Sequence, residues 1–360
     1  MRTKKKTTFY TLPILGVFIL LISFLGGCHS NKEITTPSIQ ETIKLHFIDT
    51  GNSDAILIQD GKIGVLIDGG DNDDEEFVPN YIKAQGIEKL NYVIATHPDA
   101  DHIGGLDGVV RNIKVERVLV SNGDADTKTY RDFISALIDK GLSPSVPLVG
   151  STFSFGKGEF KVLSAADVKD PNERSIVLLY TYGKDKMLFM GDAGTEVEKN
   201  LECGPVDLIK LGHHGSSSSS SLAFLKQVTP QKAVLTVGSG NKYGHPHKEI
   251  MEHLKTLNIP VYRTDEGGTL VFESTGKGIK ALQEPHSYLN GSTNQSVVEG
   301  QMNETPTPIE STIKNEALGK VYFTSTSKKY HSTPTCSNMK APIEATIKEV
   351  GKRKACQICF

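Results

Sequence analysis

One stretch, Thr96-His97-Pro98-Asp99-Ala100-Asp101-His102-Ile103-Gly104-Gly105, constrains this chain more than any other. It continues Asn91–Thr96 (NYVIAT), a short apolar run that reads as a strand buried on both faces. Such a strand lies inside a sheet, so the polar block is delivered to the sheet's edge, where the chain turns. Imidazole and carboxylate together suit zinc, manganese or iron, and ligands as close as His97, Asp99, Asp101 and His102 can serve two adjacent ions. Gly104-Gly105 reads as a tight chain reversal into a helix whose first amides face the site.

Three downstream segments place further candidates at strand ends. Met190-Gly191-Asp192-Ala193 puts a carboxylate at the tip of a Lys186–Met190 strand. Gly212-His213-His214-Gly215-Ser216 follows a Val206–Leu211 strand, and its adjacent histidines point in different directions, so one can bind metal while the other touches substrate. In Tyr243-Gly244-His245-Pro246-His247, His245 is the metal candidate and His247 starts a helix. Asp68, closing Leu66-Ile67-Asp68, is placed to orient a ligand histidine rather than to bind metal. Ser216–Ser221 reads as a mobile loop at the mouth of this cluster.

The remaining pattern sets the architecture. Ile43–Ile48, Ala55–Gln59, Gly64–Ile67, Val115–Val120, Ser175–Tyr182, Ala233–Val237, Val261–Thr264 and Thr269–Glu273 read as strands. Glu75–Gln85, Tyr130–Lys140, Leu222–Lys226 and His247–Leu257 have helical spacing. Hairpins followed by β-α alternation imply mixed sheets covered by helices. Residues 43–280 form this body. Residues 281–319, rich in Ser, Thr, Asn, Glu and Pro, read as a linker.

Both ends carry separate signals. Basic residues (Arg2, Lys4, Lys5, Lys6) precede an apolar run from Phe9 to Leu25 and then Gly26-Gly27-Cys28. Residues 1–27 read as an export signal, and residues 28–42 as a polar tether. Leu25-Gly26-Gly27-Cys28 resembles the bacterial lipoprotein signature, which implies lipidation of Cys28 and a body held on the extracytoplasmic face of the membrane; an uncleaved single-span anchor is the rival reading. The whole chain carries a formal net charge of −2, and the basic start hides a more acidic body, which disfavours stable polyanion binding without a local patch or bound cations. Residues 320–360 hold His331, Cys336 and Cys356-Gln357-Ile358-Cys359, a spacing suited to a tetrahedral structural zinc in a unit too small to fold on its own core; a disulfide is the alternative.

The segments HFIDTGNSDAILI, LIDGG, THPDADHIGGL, MGDA, LIKLGHHGS and YGHPH, in that order, resemble the metallo-β-lactamase fold superfamily, and within it the soluble hydrolase domain of the ComEC-type competence proteins that import DNA. The resemblance implies a four-layer αββα sandwich with the metal site at one edge of its two sheets. It implies that His97, Asp101, His102 and Asp192 are metal ligands, Asp192 bridging. The sequence departs from the wider superfamily at Asp99, which stands where a histidine is usual. Competence-type relatives share this carboxylate, and it shifts preference from zinc toward manganese. No histidine falls between residues 103 and 191 to fill the superfamily's third ligand position, so His213 or substrate would complete that shell.

The expectation is a hydrolase with two divalent ions, zinc or manganese, that activate water and polarise the scissile group. Asp101 or Asp192 would orient the attacking oxygen, and His214 would protonate the leaving group. The favoured substrate is a phosphodiester, DNA or a nucleotide; the alternatives are an envelope phosphodiester of the teichoic acid type and a non-catalytic surface binding protein.

Overall fold

The computed structural model describes residues 42–291 together with strands at 320–323, 329–330, 343–346 and 354–355. The unit Met1–Gln40 falls outside the described residues, and Cys28 with it; His331, Cys336, Cys356 and Cys359 also lie outside them.

Two seven-stranded mixed sheets make the body. The first contains β1 (Ile43–Phe47), β2 (Ile56–Asp60), β3 (Ile63–Ile67), β4 (Lys89–Ala95) and β5 (Lys114–Val120). The second contains β6 (Thr152–Phe155), β7 (Gly158–Ser164), β8 (Val177–Tyr182), β9 (Asp185–Phe189), β10 (Leu208–Lys210), β11 (Ala233–Leu235) and β12 (Val261–Arg263). The chain then returns to the first sheet as β13 (Leu270–Ser274) and β14 (Ile279–Ala281), giving the order β14-β13-β1-β2-β3-β4-β5. The second sheet runs β12-β11-β10-β9-β8-β7-β6.

Alternation along the strands creates the layers. Val65, Ile67, Tyr92 and Ile94 of the first sheet meet Met187, Phe189, Leu178 and Tyr180 of the second in one central core. The opposite faces carry Leu66, Leu90 and Val93, covered by helices Phe77–Ala84, Leu106–Asn112 and Lys128–Asp139. Leu188, Ile209 and Leu235 are covered by helices Leu222–Val228 and Lys248–Thr256. Helix, sheet, sheet, helix is the αββα sandwich that the resemblance implies.

Two features differ from the sequence reading. The hairpin β6–β7 has no counterpart among the strands expected from sequence: its short strands alternate apolar with polar or charged residues around Gly156-Lys157-Gly158 and lack a continuous apolar run. The body also continues past residue 280. Arg263, fully buried, donates to the Leu289 carbonyl and pairs with Asp265 (2.7 Å), while His286 N reaches the Val261 carbonyl (2.7 Å). Gly291 N closes this strap on the Pro246 carbonyl (2.9 Å). The polar composition of 282–291 hid these bonds, because they are made to backbone rather than through apolar burial.

Away from the strand ends, His46 is buried with a fixed tautomer. Gln59 Nε2 donates to the Gly61 and Gln85 carbonyls, so its Oε1 must accept from His46 Nε2 (3.1 Å). His46 Nδ1 then accepts from the Tyr81 hydroxyl (2.9 Å). Burial pulls the His46 pKa down to about 4, only partly offset by Gln59. As pH falls below about 6.5 the unfolded chain gains a proton that the fold refuses, so stability is lost between there and about 4. Wild type should therefore lose ~2.5 kcal/mol more than His46→Gln between pH 7 and pH 4.5 in urea titrations. Equal losses in the two proteins would contradict the assignment.

Candidate metal centre

The site is assembled at the ends of β4, β9, β10 and β11. Asp68, in a left-handed conformation (φ 58°) just after β3, accepts from Thr96 N (2.8 Å) and Thr96 Oγ1 (2.7 Å), which pins the end of β4. Asp99 then starts the short helix Ala100–Ile103 in extended conformation, without a side-chain capping bond. Gly104 and Gly105 do not reverse the chain: both are right-handed helical, and Leu106–Asn112 follows directly. Their role is close approach. A Cβ on Gly104 would lie 2.2 Å from Asn72 N, and one on Gly105 would lie 2.3 Å from the Gly69 carbonyl oxygen.

Asp192 is the hub. Its amide donates to Ser175 Oγ (3.0 Å), and its carboxylate, almost fully buried, faces four imidazoles. Its oxygens lie 3.2 Å from His102 Nε2, 3.6 Å from His213 Nε2, 3.8 Å from His214 Nε2 and 3.9 Å from His97 Nε2. Asp101 lies 3.6 Å from His214 Nε2, and Asp99, half-exposed, lies 3.8 Å from His97 Nε2. Among the described residues, three groups of ligand atoms lie close enough to hold a cation: His97 with His102 and Asp192, Asp101 with His102 and His214, and, behind the His102 ring, Asp54 with Asp68 and His102.

Hydrogen bonds on the far side of each ring fix what faces inward. His214 Nδ1 approaches the Thr236 carbonyl (2.8 Å), which can only accept, so Nδ1 carries the proton. His102 Nδ1 donates to Asp68 Oδ2 (2.9 Å). Thr96 spends its hydroxyl proton on Asp68 and so accepts from His97 Nδ1 (3.2 Å). In the neutral rings, all three Nε2 lone pairs therefore point at a carboxylate. These Nε2 atoms and Asp192 Oδ1 are buried and make no hydrogen bond among the described residues. The separations resemble the edges of a coordination polyhedron, about 3.0–3.5 Å for metal–ligand bonds of about 2.0–2.2 Å. The donor set and its orphaned lone pairs fit a divalent cation.

Protons can do the same task. Burial opposes a charge on His214, but Asp192 and Asp54 outweigh it and raise the ring to about 9. His102 is also driven well above its ordinary value, by Asp192 and Asp68 against burial. His97 goes the other way, down to about 3, through burial and the neighbouring His102. Metal loading at this site thus means displacing protons.

The sequence reading missed Asp54, Lys210, Thr236 and Ser175. Lys210, wholly buried at the end of β10, lies 2.6 Å from Asp54 Oδ2, off the hydrogen-bond axis, so the attraction is one of charge. The other Asp54 oxygen takes the Thr236 hydroxyl and stands 3.4 Å from His214 Nδ1. Burial resists ionisation of Asp54, yet Lys210 and His214 hold its pKa well below the usual carboxylate range. The lone lysine in the apolar run Leu208-Ile209-Lys210-Leu211 was the available signal, because a lysine buried in a strand needs a carboxylate partner.

His213 and His214 both adopt left-handed backbone (φ 49° and 53°), which splays their rings. His214 is fully buried; His213 is 27% exposed and its Nδ1 is tied to Ser218 Oγ (3.0 Å). His245 packs edge-on to His213 at 5.6 Å between ring centroids and belongs to none of these ligand groups. Burial and the nearby histidines lower it to about 3. The serine run is not a loose loop. Ser219 Oγ donates to the Gly212 carbonyl (2.7 Å), and buried Glu198 accepts from the amides of Ser220 and Ser221. These buried backbone contacts are invisible in a low-complexity sequence.

The metallo-beta-lactamase superfamily model matches residues 48–238, which contain the Asp68, His97–His102, Asp192 and His213–His214 segments. The chain belongs to that superfamily. It is thus a member of a family of metal-dependent hydrolases, and it is related to the ComEC-type competence proteins. It is 30% identical to ComE operon protein 3 of Bacillus subtilis over 204 residues, covering 55% of this chain and 26% of that protein. It is 27% identical over 277 residues to Competence protein ComA of Neisseria gonorrhoeae, covering 74% of this chain and 37% of that protein. The chain therefore spans well under half the length of these curated relatives. Among solved structures, the metallo-beta-lactamase fold protein YhfI of Bacillus subtilis matches 65% of this chain and all of its own, with 13% identity and a TM-score of 0.45. Among the described residues of this superfamily member, no helix is long and apolar enough to cross a membrane.

Proposed function

We propose that this superfamily member is a phosphodiesterase that takes two divalent cations, with DNA or nucleotides as its substrate class. The observation that carries it is the buried Asp192 carboxylate faced by the lone pairs of three tautomer-fixed imidazoles. His97, Asp99 and Asp192 would hold one ion and Asp101, His102 and His214 the other, with Asp192 between them. Such ions lower the pKa of a coordinated water and neutralise charge on a phosphoryl oxygen. Asp99 makes the first position harder and favours manganese over zinc. Ser175, two residues before β8 with its hydroxyl against His97 and Asp192, stands beside the first position without adding a third imidazole, so that position has the weaker ligand set.

Burial divides the paired histidines. His214, enclosed and carbonyl-anchored, acts as ligand, while His213, part-exposed and oriented by Ser218, faces the leaving group; this exchanges the roles anticipated from sequence. His245 supports the His213 ring from the side. Asp68 holds the His102 ring. Hydrolysis of bis-p-nitrophenyl phosphate with added manganese or zinc tests the reading. His213→Ala should keep its bound metal and lose about a hundredfold in kcat, within the range for a general acid. His214→Ala should lose metal as well, measured by elemental analysis. Metal-loaded wild type without turnover would leave only a binding protein.

The same proposal places the body outside the cytoplasm on a lipid attached to Cys28. Cys28→Ala should stop incorporation of labelled fatty acid, and undiminished labelling would refute the anchor. In the C-terminal module, His331, Cys336, Cys356 and Cys359 would hold a structural zinc.

A further inference from the structure

A cavity of about 550 Å³ lies beside the metal cluster, with an aliphatic wall of Leu163, Ala166, Val168, Val197 and Leu201. That volume falls in the range of small-molecule sites. The wall is continuous with the catalytic segments. Glu173 stands two residues before Ser175, whose hydroxyl accepts from Asp192 N, and the Glu173 carboxylate presses on Gly194, two residues beyond Asp192. Two residues of chain reach at most about 7 Å, so Glu173 and Gly194 bring the cavity wall within nucleotide length of the cluster.

The polar groups define the occupant. Glu173 lines the cavity, and its Oε2 is buried without a hydrogen-bond partner among the described residues. The Gly194 side is occupied by its other oxygen; a Cβ on Gly194 would lie 2.5 Å from Oε1. Asp170 adds a further carboxylate beside Lys169, and the carboxylate of Glu196 is paired with Lys199 (2.5 Å). An aliphatic wall beside one unpartnered carboxylate oxygen favours an apolar, uncharged group that brings an N–H over a phosphate. Burial pushes the Glu173 pKa upward against the backbone amides of Val197 and Gly194, and an N–H donor at Oε2 would add to their support of the charged form.

We propose that this cavity is a nucleobase subsite, in which aliphatic side chains cover the ring faces and Glu173 Oε2 accepts from an exocyclic amine. The inference rests on the phosphodiesterase reading: the phosphate sits over Asp192 and the base turns into the cavity. A carboxylate acceptor selects cytosine, adenine or guanine over thymine, whose one ring N–H is flanked by two carbonyl oxygens that a carboxylate repels.

Saturation-transfer NMR with cytidine, guanosine and thymidine tests binding without any turnover. The expected result is saturable binding of cytidine and guanosine, at least fivefold tighter than thymidine. Glu173→Gln should weaken the aminated nucleosides about tenfold and flatten that preference. Val168→Trp fills the cavity from a side chain that is 42% exposed, so the fold tolerates it, and should abolish binding. For a p-nitrophenyl ester of cytidine monophosphate, Val168→Trp should raise KM at least tenfold more than for bis-p-nitrophenyl phosphate. No nucleoside binding by wild type, or binding indifferent to both substitutions, overturns the subsite. Turnover of bis-p-nitrophenyl phosphate without nucleoside binding would reject the subsite alone; nucleoside binding without turnover would reject the phosphodiesterase reading alone.

Discussion

Asp192→Asn is expected to purify with less than a tenth of the wild-type metal content and to lose at least about a thousandfold in kcat/KM, ~4 kcal/mol of transition-state stabilisation. The substitution keeps shape and removes one charge. That charge is what four imidazoles face, at 3.2 to 3.9 Å. An amide offers two N–H donors, enough for two of the three unpartnered Nε2 lone pairs of His97, His102 and His214, without a cation. The variant should therefore stay folded while losing metal, which separates a binding defect from a folding defect. Circular dichroism and elemental analysis on one preparation make the check. Wild-type metal content in Asp192→Asn would sink the two-ion centre.

Lys210→Met is expected to cost about 3–5 kcal/mol of stability, because it leaves the Asp54 charge buried without its cation. For a body of this size that corresponds to a fall in Tm on the order of 10 °C. The loss should be largely repaired in Lys210→Met/Asp54→Asn, because removing both charges also removes the desolvation cost. The single variant should also disturb the site. Asp54 lies 3.4 Å from His214 Nδ1 and 4.0 Å from His102 Nδ1, so once released from Lys210 it draws protons onto both rings and competes with metal. Urea denaturation measures the first effect and metal affinity the second. A Lys210→Met protein within 1 kcal/mol of wild type would show that the ion pair is not a structural requirement.

Much of the fold could be read from residue order because its signals are local. A strand buried on both faces, such as β4, needs a continuous apolar run, and Tyr92-Val93-Ile94 is one. Amphipathic spacing marked Lys128–Asp139 and Lys248–Thr256. The β6–β7 hairpin escaped because half-exposed strands offer only alternating apolar residues, as few as Phe153 and Phe155 in β6, instead of a continuous run. The strap 282–291 escaped because backbone carbonyls, not apolar side chains, receive it.

By itself the sequence determined which residues have metal-binding chemistry and that they end strands: His97 through His102, Asp192, and His213 with His214. Those facts follow from side-chain type and hydrophobic period, which require no knowledge of distant neighbours. Only the tertiary structure decided which histidine of the pair is buried, which nitrogen of each ring faces inward, and that Asp54 and Lys210 stand behind them. These are decided by contacts between residues as far apart as Asp54 and Thr236, across the two sheets. A proton's position on an imidazole depends on the acceptor that the fold brings to its other side, and no local spacing records where that acceptor comes from.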